Sequence, residues 1–191
     1  GETADTLAAL RYCKDKTDNI VSVVNVTTST IARESNVFLP IMAGHEIGVA
    51  STKAFTSQLL TLATLCISAG VDKQLLKKNE QSKLIQELSS LPDLIDKTLL
   101  QENKIASIAK KISVNSDVLF MGRGTFYPIA LEGALKLKEI SYIHAEGYAS
   151  GELKHGPIAL IDENTPVIVF APYDELFEKN ISNMQEVLAR N

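Results

Sequence analysis

The order of apolar and polar positions predicts helices and strands in alternation near the start of the chain. Apolar residues recur at helical spacing over residues 3–14, and residues 20–26 form a β-branched run typical of a buried strand. A second short apolar run covers residues 37–41, and a helix is predicted from residue 51 to about residue 69. Helix followed by strand is the pattern of an α/β protein.

The middle of the chain has a different pattern. Residues 73–112 are rich in Lys, Glu, Gln and Leu, contain no Gly, and have Pro92 as their only strong breaker, which predicts two or three helices. The α/β pattern then returns. It predicts a strand at 117–121, a turn at 122–124, a helix at 127–142, a strand at 167–171 and a helix at 175–190.

Two strand-and-helix blocks around a helical connector predict two similar three-layer α/β/α units with parallel sheets. We place the first subdomain at residues 1–78, the connector at 79–111 and the second subdomain at 112–191. Residues 166–190 could match the opening helix together with a strand that would precede Gly1. On that basis the chain is expected to start just after a strand and to stop just before one, with both subdomains incomplete.

Composition and charge exclude several classes of protein. The chain is 45% apolar and carries a formal charge of −4, so no diffuse positive field would draw it to nucleic acid. The best membrane candidate, residues 59–69, is short and interrupted by hydroxyl residues. Cys13 and Cys66 lack the spacing of metal ligands or a redox pair, so we interpret both as reduced core thiols. A soluble, cytoplasmic protein is expected.

Candidate anion sites lie where helices begin, at the carboxyl ends of strands. In Gly1-Glu2-Thr3 the Thr3 hydroxyl can donate to a phosphate oxygen, although an ordinary N-cap threonine has the same pattern. In residues 44–52, Ser51 or Thr52 either caps the following helix or turns its hydroxyl toward a sugar. Residues 171–175 carry acids and no Gly, Ser or Thr, so one phosphate site is expected rather than two.

A third place combines charges on one helix face, because Glu132, Lys136 and Glu139 are spaced i, i+4 and i+7. A solvated Glu–Lys face is one interpretation. The flanking residues, however, make this helix apolar nearly all round, and buried charges need a reason. A lysine can form a Schiff base with C2 of a ketose, and a carboxylate can move a proton between C1 and C2. Neither role needs a metal, and no cofactor is expected.

Histidine provides one further candidate. His155 precedes Gly156-Pro157, where an imidazole could open a sugar ring or simply form a turn. His45 and His144 show no metal-binding spacing with it, so a zinc site is not expected.

Four stretches together resemble a known family. They are ALEGALKLKEISYIHAE at 130–146, GELKHGP at 151–157, GETADTL at 1–7 and EIGVASTK at 46–53. They resemble the isomerase (SIS) domain of the glutamine:fructose-6-phosphate aminotransferases, also called glucosamine-6-phosphate synthases, over the whole chain. Related proteins of the sugar-isomerase fold share the phosphate loop, whereas the combination of Lys136, Glu139 and His155 is narrower.

The resemblance implies a sugar-isomerase (SIS) fold and a reaction. Fructose 6-phosphate and glutamine would give glucosamine 6-phosphate and glutamate, with ammonia delivered by a separate glutaminase domain. Glu139 would be the proton-shuttling base, Lys136 the Schiff-base lysine and His155 the ring-opening residue, supplied across a homodimer interface.

The resemblance also implies contacts to the substrate. Thr3 would hold phosphate, Ser51 would contact phosphate or sugar, Val49 would contribute backbone polar atoms, and Glu132 would support the catalytic pair. The family's upstream Ser-Gln-Ser run, its glutaminase domain and a further active-site lysine lie outside this sequence. The 191 residues alone are therefore expected to lack full synthase activity.

Two other functions stay open on the residues alone. A phosphosugar isomerase or lyase of the same fold would use Glu139 without needing ammonia. A non-catalytic sugar-phosphate sensor would keep Thr3 and Ser51 but has no use for Lys136 and His155.

Overall fold

The computed structural model describes residues 3–190; Gly1, Glu2 and Asn191 lie outside the described residues. The described chain falls into two compact units, which meet in sequence between Lys97 and Thr98. Each unit has its own sheet and is described by itself.

The first unit consists of helices around two short strands. Its elements are α1 (Ala4–Cys13), β1 (Val21–Val24), α2 (Thr30–Glu34), β2 (Val37–Pro40), α3 (Lys53–Asp72), α4 (Lys78–Ser89) and α5 (Leu91–Leu99), whose last two residues cross the boundary. β1 and β2 are parallel, with Val21 opposite Val37 and Val24 opposite Pro40. Parallel pairing needs a crossover on one face, and the short helix α2 supplies it.

A small core holds the first unit together. It is formed by buried Leu10 of α1, Val24 of β1, and Ile31 and Ala32 of α2. The hydroxyl of Ser29 accepts the backbone N–H of Ala32, which caps α2 and fixes the turn that brings it onto β1.

The second unit has three layers, with helices on both faces of a parallel sheet. Its elements are α6 (Glu102–Ile112), β3 (Asp117–Gly122), α7 (Tyr127–Ser141), β4 (His144–Ala149), β5 (Val167–Phe170) and α8 (Phe177–Leu188). Three 3₁₀ segments, Gly124–Phe126, Ser150–His155 and Pro157–Leu160, follow β3 and β4. The strand order is β4-β3-β5, and both pairings are parallel.

The central strand β3 divides the core of the second unit into two sides. Val118 and Phe120 belong to a cluster with the alanines of α7, whereas Leu119 and Met121 belong to a cluster with Val187 of α8. All four side chains are buried, because a central strand covered on both faces has no polar side. The two faces of this sheet therefore carry separate parts of the unit.

The predicted α/β class with parallel strands is confirmed, and every predicted strand is present within a few residues. The residues 73–112 form three helices. Two elements were missed, namely α2 and β4. The exact subdomain limits at 78 and 112 stay a prediction, since the compact units divide instead at 97 and 98.

Two expectations from the sequence need correction. Cys66 is exposed on α3 and Cys13 is only partly buried, so Cys66 is not a core thiol. Helix α3, with 20 residues, is longer than the apolar run 59–69, and an 18-residue window of it has a mean hydropathy of 1.5. By length and composition it is long and apolar enough to cross a membrane. One helix of this kind is weak evidence for a membrane span, and 6% of the window is buried among the described residues.

Candidate active site

Three charged side chains of α7 meet in the second unit. The Lys136 ammonium lies 2.6 Å from Glu139 Oε2 and 3.5 Å from Glu132 Oε1. α7 begins at Tyr127 directly after a 3₁₀ turn, with proline at its start, and ends before Tyr142 in the left-handed conformation. The uninterrupted helix between these points gives the i, i+3 and i, i+4 contacts. The predicted charged face is therefore present, and we call these three residues the charged trio.

The trio is more buried than two leucines beside it. The side chains of Lys136, Glu132 and Glu139 are 21%, 23% and 31% exposed. Leu131 and Leu135 are 44% and 41% exposed, so the expectation of a mostly buried helix is wrong for this part of α7. A solvated Glu–Lys face would show the opposite order, with the charges outermost.

Electrostatics within the trio favour the charged form of the lysine. A hydrogen bond from the ammonium to Glu139 is the main cause that raises the pKa of Lys136, and the charge of Glu132 adds to it against a partial desolvation cost. Glu139 Oε2 is buried and has no further hydrogen-bond partner among residues 3–190. One carboxylate oxygen thus faces one ammonium in a partly dry setting.

Close packing of α7 on β4 positions the trio. A Cβ atom added to Gly147 of β4 would lie 2.9 Å from both the backbone nitrogen and the Cα of Leu131. Only glycine permits the helix backbone to approach the strand this closely. The buried Ala130 and Ala134 of α7 continue the same contact along the sheet.

The trio extends along α7 away from the carboxyl ends of the strands, where the sequence analysis placed its candidate sites. α7 starts after the carboxyl end of β3 and runs back toward the amino end of β4. Glu139 is two residues before the end of α7, so it lies near the amino end of β4. The reason is topological, because a crossover helix between parallel strands runs antiparallel to them.

His155 lies away from the trio in the same unit. It ends the 3₁₀ segment that follows the carboxyl end of β4, and Leu153 of this segment is buried in the core cluster on the α8 side of the sheet. Lys154 adds an ion pair to Glu186 of α8 at 2.9 Å. Gly156, with φ +145°, allows the sharp change of direction after His155. The sheet thus separates His155 from the trio, and the structure does not bring them together within one chain.

The first unit contains a cleft of about 1430 Å³ that runs beside β1. Thr3 and Ser51 both line it, together with His45 and Glu46. Thr3 occupies the N-cap position of α1, but its side chain makes no capping hydrogen bond. The hydroxyls of Thr3 and Ser51, predicted as ligand contacts from separate loops, therefore share one cleft. Gly1 and Glu2 of the first predicted loop lie outside the described residues.

Glu46 is a site residue that sequence reasoning quoted without giving it a role. Its Oε1 accepts the backbone N–H groups of Thr52 at 2.7 Å and Ala54 at 3.2 Å, and its Oε2 accepts the Ser51 hydroxyl at 3.1 Å. Thr52, the N-cap residue of α3, makes no capping hydrogen bond of its own. A carboxylate six residues before the N-cap was the available signal, but the usual capping-box spacing does not cover it. The side chain of Val49, in the same loop, is exposed.

No metal-binding group is formed by the residues between Thr3 and Arg190: no three His, Cys, Asp or Glu side chains there are placed to hold an ion together. His144 instead pairs with Asp117 at 2.8 Å, at the start of β4 and β3.

Comparison with known proteins gives a consistent result. The SIS domain family matches residues 1–68 and 111–191. The glutamine–fructose-6-phosphate aminotransferases [isomerizing] of Bradyrhizobium diazoefficiens and Agrobacterium fabrum are 63% and 61% identical to this chain over 190 and 191 residues. The matches cover all of this chain, which spans 31% of the length of either relative.

Solved structures show the same fold. The C-terminal domain of glucosamine-fructose-6-phosphate aminotransferase from Francisella tularensis superposes with a TM-score of 0.96 at 48% identity, covering 99% of this chain and 53% of that one. Glucosamine-6-phosphate deaminase from Thermotoga maritima superposes with a TM-score of 0.78 at 24% identity, covering 99% of this chain and 55% of that one, which shows a shared fold alone.

Proposed function

Because the chain belongs to the SIS domain family, we propose that it is the isomerase part of a glutamine:fructose-6-phosphate aminotransferase. The reaction converts fructose 6-phosphate and ammonia from glutamine into glucosamine 6-phosphate. The observation that carries the proposal is the charged trio, in which Lys136 and Glu139 meet at 2.6 Å on a partly buried helix face. The aminotransferase relatives of 60% identity or more add support, and they extend well beyond the matched region, with room for a glutaminase domain.

In this proposal Glu139 performs the proton transfer that turns a ketose derivative into an aldose derivative. Once the C2 carbonyl has been converted to an imine with ammonia and water has left, the carboxylate removes a proton from C1. It then returns a proton to C2, which leaves an aldehyde at C1 and an amine at C2. A buried oxygen without other partners suits a base, because no second donor competes for its lone pairs.

Lys136 must change its protonation state to act as the Schiff-base lysine. Its raised pKa keeps it an ammonium in the free site, and an ammonium has no lone pair to attack C2. The contact of 2.6 Å offers a route, since the ammonium can give a proton to Glu139 before the free amine adds to C2. The protonated carboxyl group can then supply that proton to the departing water, so the step ends with an iminium ion and Glu139 ionised. Ammonia then displaces the Lys136 amine from C2, which gives the imine of ammonia and frees the lysine. Without this transfer, Lys136 serves as a fixed positive charge beside the base.

Four further residues have roles in the proposal: Thr3, Ser51, Val49 and Glu132. Thr3 holds the phosphate, Ser51 and the backbone of Val49 contact the substrate, and Glu132 supports the pair through its contact with Lys136. We expect no cofactor, no nucleic-acid partner and no membrane partner, and we expect the protein to be soluble in the cytoplasm.

The position of His155 supports a homodimer in which each protomer completes the site of its partner. His155 ends a segment that packs on the α8 side of the sheet, whereas the trio belongs to α7 on the other side. Glu139 lies toward the amino end of β4, a six-residue strand about 20 Å long, whereas His155 follows its carboxyl end. A ring-opening histidine must touch the sugar, so the residue that reaches the trio is expected to come from the other protomer.

The full-length protein that carries this chain tests the proposal. Glu139→Gln should lower conversion of fructose 6-phosphate at least about 10³-fold while its binding stays within about tenfold. His155→Asn should also be inactive, yet mixing the two variants under conditions of subunit exchange should restore about a quarter of the activity, because half of the dimers then carry one intact site. Unchanged turnover in Glu139→Gln would remove the proposed mechanism, and a mixture that stays inactive would place His155 in its own protomer's site.

A further inference from the structure

The carboxylate of Glu46 occupies the amino end of α3. It accepts the backbone N–H groups of Thr52 and Ala54, which have no partner within the helix. A helix amino end of this kind otherwise attracts an anion such as phosphate. In this protein the position is already filled by a charge of the chain itself, inside the cleft that Thr3 and Ser51 line.

Glu46 also determines the direction of the hydrogen bond with Ser51. The backbone N–H groups of Thr52 and Ala54 are the largest causes that hold the pKa of Glu46 below its usual value, so this side chain is ionised at neutral pH. An ionised carboxylate only accepts hydrogen bonds, and a serine hydroxyl has one proton to donate. At 3.1 Å, that proton is therefore directed at Glu46 Oε2, and only the lone pairs of Ser51 remain for a ligand.

We propose that Glu46 is a positioning residue that makes Ser51 an acceptor, so that this end of the cleft selects a sugar hydroxyl and rejects phosphate. The inference deepens the proposed function and rests on it, since it assumes that Ser51 contacts the substrate. A sugar hydroxyl can donate to Ser51, whereas a phosphate dianion offers only acceptor oxygens. The negative charge of Glu46 disfavours phosphate at the same place.

The consequence is an orientation for the substrate in the first unit. Thr3 makes no capping hydrogen bond, so its hydroxyl is available to donate to a phosphate oxygen. Ser51, which lines the same cleft, accepts from a hydroxyl of the sugar. The phosphate thus lies at the α1 end of the cleft and the sugar hydroxyl at the α3 end.

Glu46→Gln is the informative variant, tested in the full-length protein. The amide oxygen can still accept from Thr52 and Ala54, which preserves the helix cap. The amide NH₂ group replaces Oε2 as a donor toward Ser51, which frees the serine proton and reverses the polarity of the hydroxyl. We expect KM for fructose 6-phosphate to rise about fivefold to tenfold and Ki for inorganic phosphate to fall about fivefold, with Tm nearly unchanged.

A double-mutant cycle separates this role from simple capping or charge. Glu46→Gln should have less than about a twofold effect on KM when Ser51 is already alanine, because Glu46 acts through the Ser51 hydroxyl, which that variant lacks. An equal rise in KM with and without Ser51 would overturn the inference. Ser51→Ala alone should raise KM for fructose 6-phosphate and leave Ki for inorganic phosphate unchanged; weaker phosphate binding in this variant would also overturn it, whether or not Glu46→Gln folds.

The wild-type protein distinguishes failure of this inference from failure of the proposed function. If the wild type converts fructose 6-phosphate but the ratios of variant to wild-type KM and Ki stay close to 1, the role of Glu46 is rejected and the aminotransferase function is kept. Absence of turnover in the wild type would reject that function, and the same ratios, measured as calorimetric Kd values for fructose 6-phosphate and inorganic phosphate, would then decide the role of Glu46.

Discussion

Replacing Lys136 by methionine tests whether the charged trio is a coupled unit. Methionine keeps the length and most of the volume of the side chain but removes the charge, and it leaves Glu132 and Glu139 without their shared partner. Lys138→Met is the matched control, because Lys138 lies on the same helix and is exposed. Both variants lose one positive charge, so the difference between them reports the trio alone.

The magnitude follows from the contacts. A pair of unit charges 3.5 Å apart, as between Lys136 and Glu132, interacts by about 5 kcal/mol at an effective dielectric constant of about 20, before desolvation and side-chain ordering are subtracted. Exposed pairs retain about 0–1 kcal/mol after these costs. Removal of one partner from a fully buried pair costs about 3–5 kcal/mol. At 21–31% exposure the trio lies between these cases, so we expect a loss of about 2 kcal/mol for Lys136→Met.

The effect should depend on pH in one direction. The pKa of Lys136 is raised in the folded state, so its stabilising contribution is complete below the ordinary value of about 10.5 and is lost as pH rises through the folded value. Urea unfolding of wild type, Lys136→Met and Lys138→Met between pH 7 and pH 11 measures this. The gap of about 2 kcal/mol should be constant to about pH 10 and then shrink. Equal stability of the two variants at pH 7, or a gap that persists unchanged at pH 11, would refute the reasoning.

Two further perturbations test the packing under the trio and the contact between α1 and α2. Gly147→Ala should destabilise the protein by about 1–3 kcal/mol in urea unfolding and lower kcat, because the new Cβ would meet the backbone of α7 at 2.9 Å. Gly151→Ala is the control in urea unfolding, because its Cβ would meet the flexible Arg123 guanidinium at 3.4 Å. Glu34→Gln should destabilise at neutral pH, since Arg11 and then Lys14 lower the pKa of Glu34 to about 2. That stabilisation is present above about pH 4.5 and is lost as pH falls toward 2, so denaturation midpoints of wild type and variant should converge at about pH 2, and a gap that stays constant would contradict the assignment.

The strongest sequence signals belonged to the elements with a regular apolar pattern. The buried strand β3 and the helix α7 were predicted within two residues at each end, because a continuous apolar run dominates the strand and a 3.6-residue repeat dominates the helix. The glycine turn predicted at residues 122–124 also marked where α7 starts, and the proline in its first turn was a further signal that was not used.

The missed elements lack such signals. β4 reads His-Ala-Glu-Gly-Tyr-Ala, with low strand propensity, because it is an edge strand whose glycine serves the close contact with α7. α2 has only five residues, too few for a helical repeat, although Ser29 three residues before Ala32 was a usable cap signal. The exposure of Cys66 was missed for another reason: a helical pattern marks an apolar side but does not say what packs against it.

The candidate site was predictable where residues share one helix and not where loops meet. The spacing of Glu132, Lys136 and Glu139 implies their contacts directly, whereas the three hydrogen bonds of Glu46 depend on how an irregular loop folds back. The location of His155 relative to the trio could be read only from the arrangement of the sheet. The sequence does not indicate on which face of the sheet the chain continues after β4.

In the second unit the sheet has the charged trio on one side and the His155 segment on the other. This arrangement explains why we expect two chains to contribute to each catalytic site. Packing of α7 on one side of β3 and of the His155 segment on the other is fixed by the alternation of Val118 and Phe120 with Leu119 and Met121. No change of side-chain rotamer can move a residue through that sheet, because the strand is buried on both sides. If both the trio and His155 act on one sugar, we propose that the sugar meets two copies of this unit. Assembly would then be a condition for ring opening, and the stability of the core and the chemistry of the site would depend on the same four side chains.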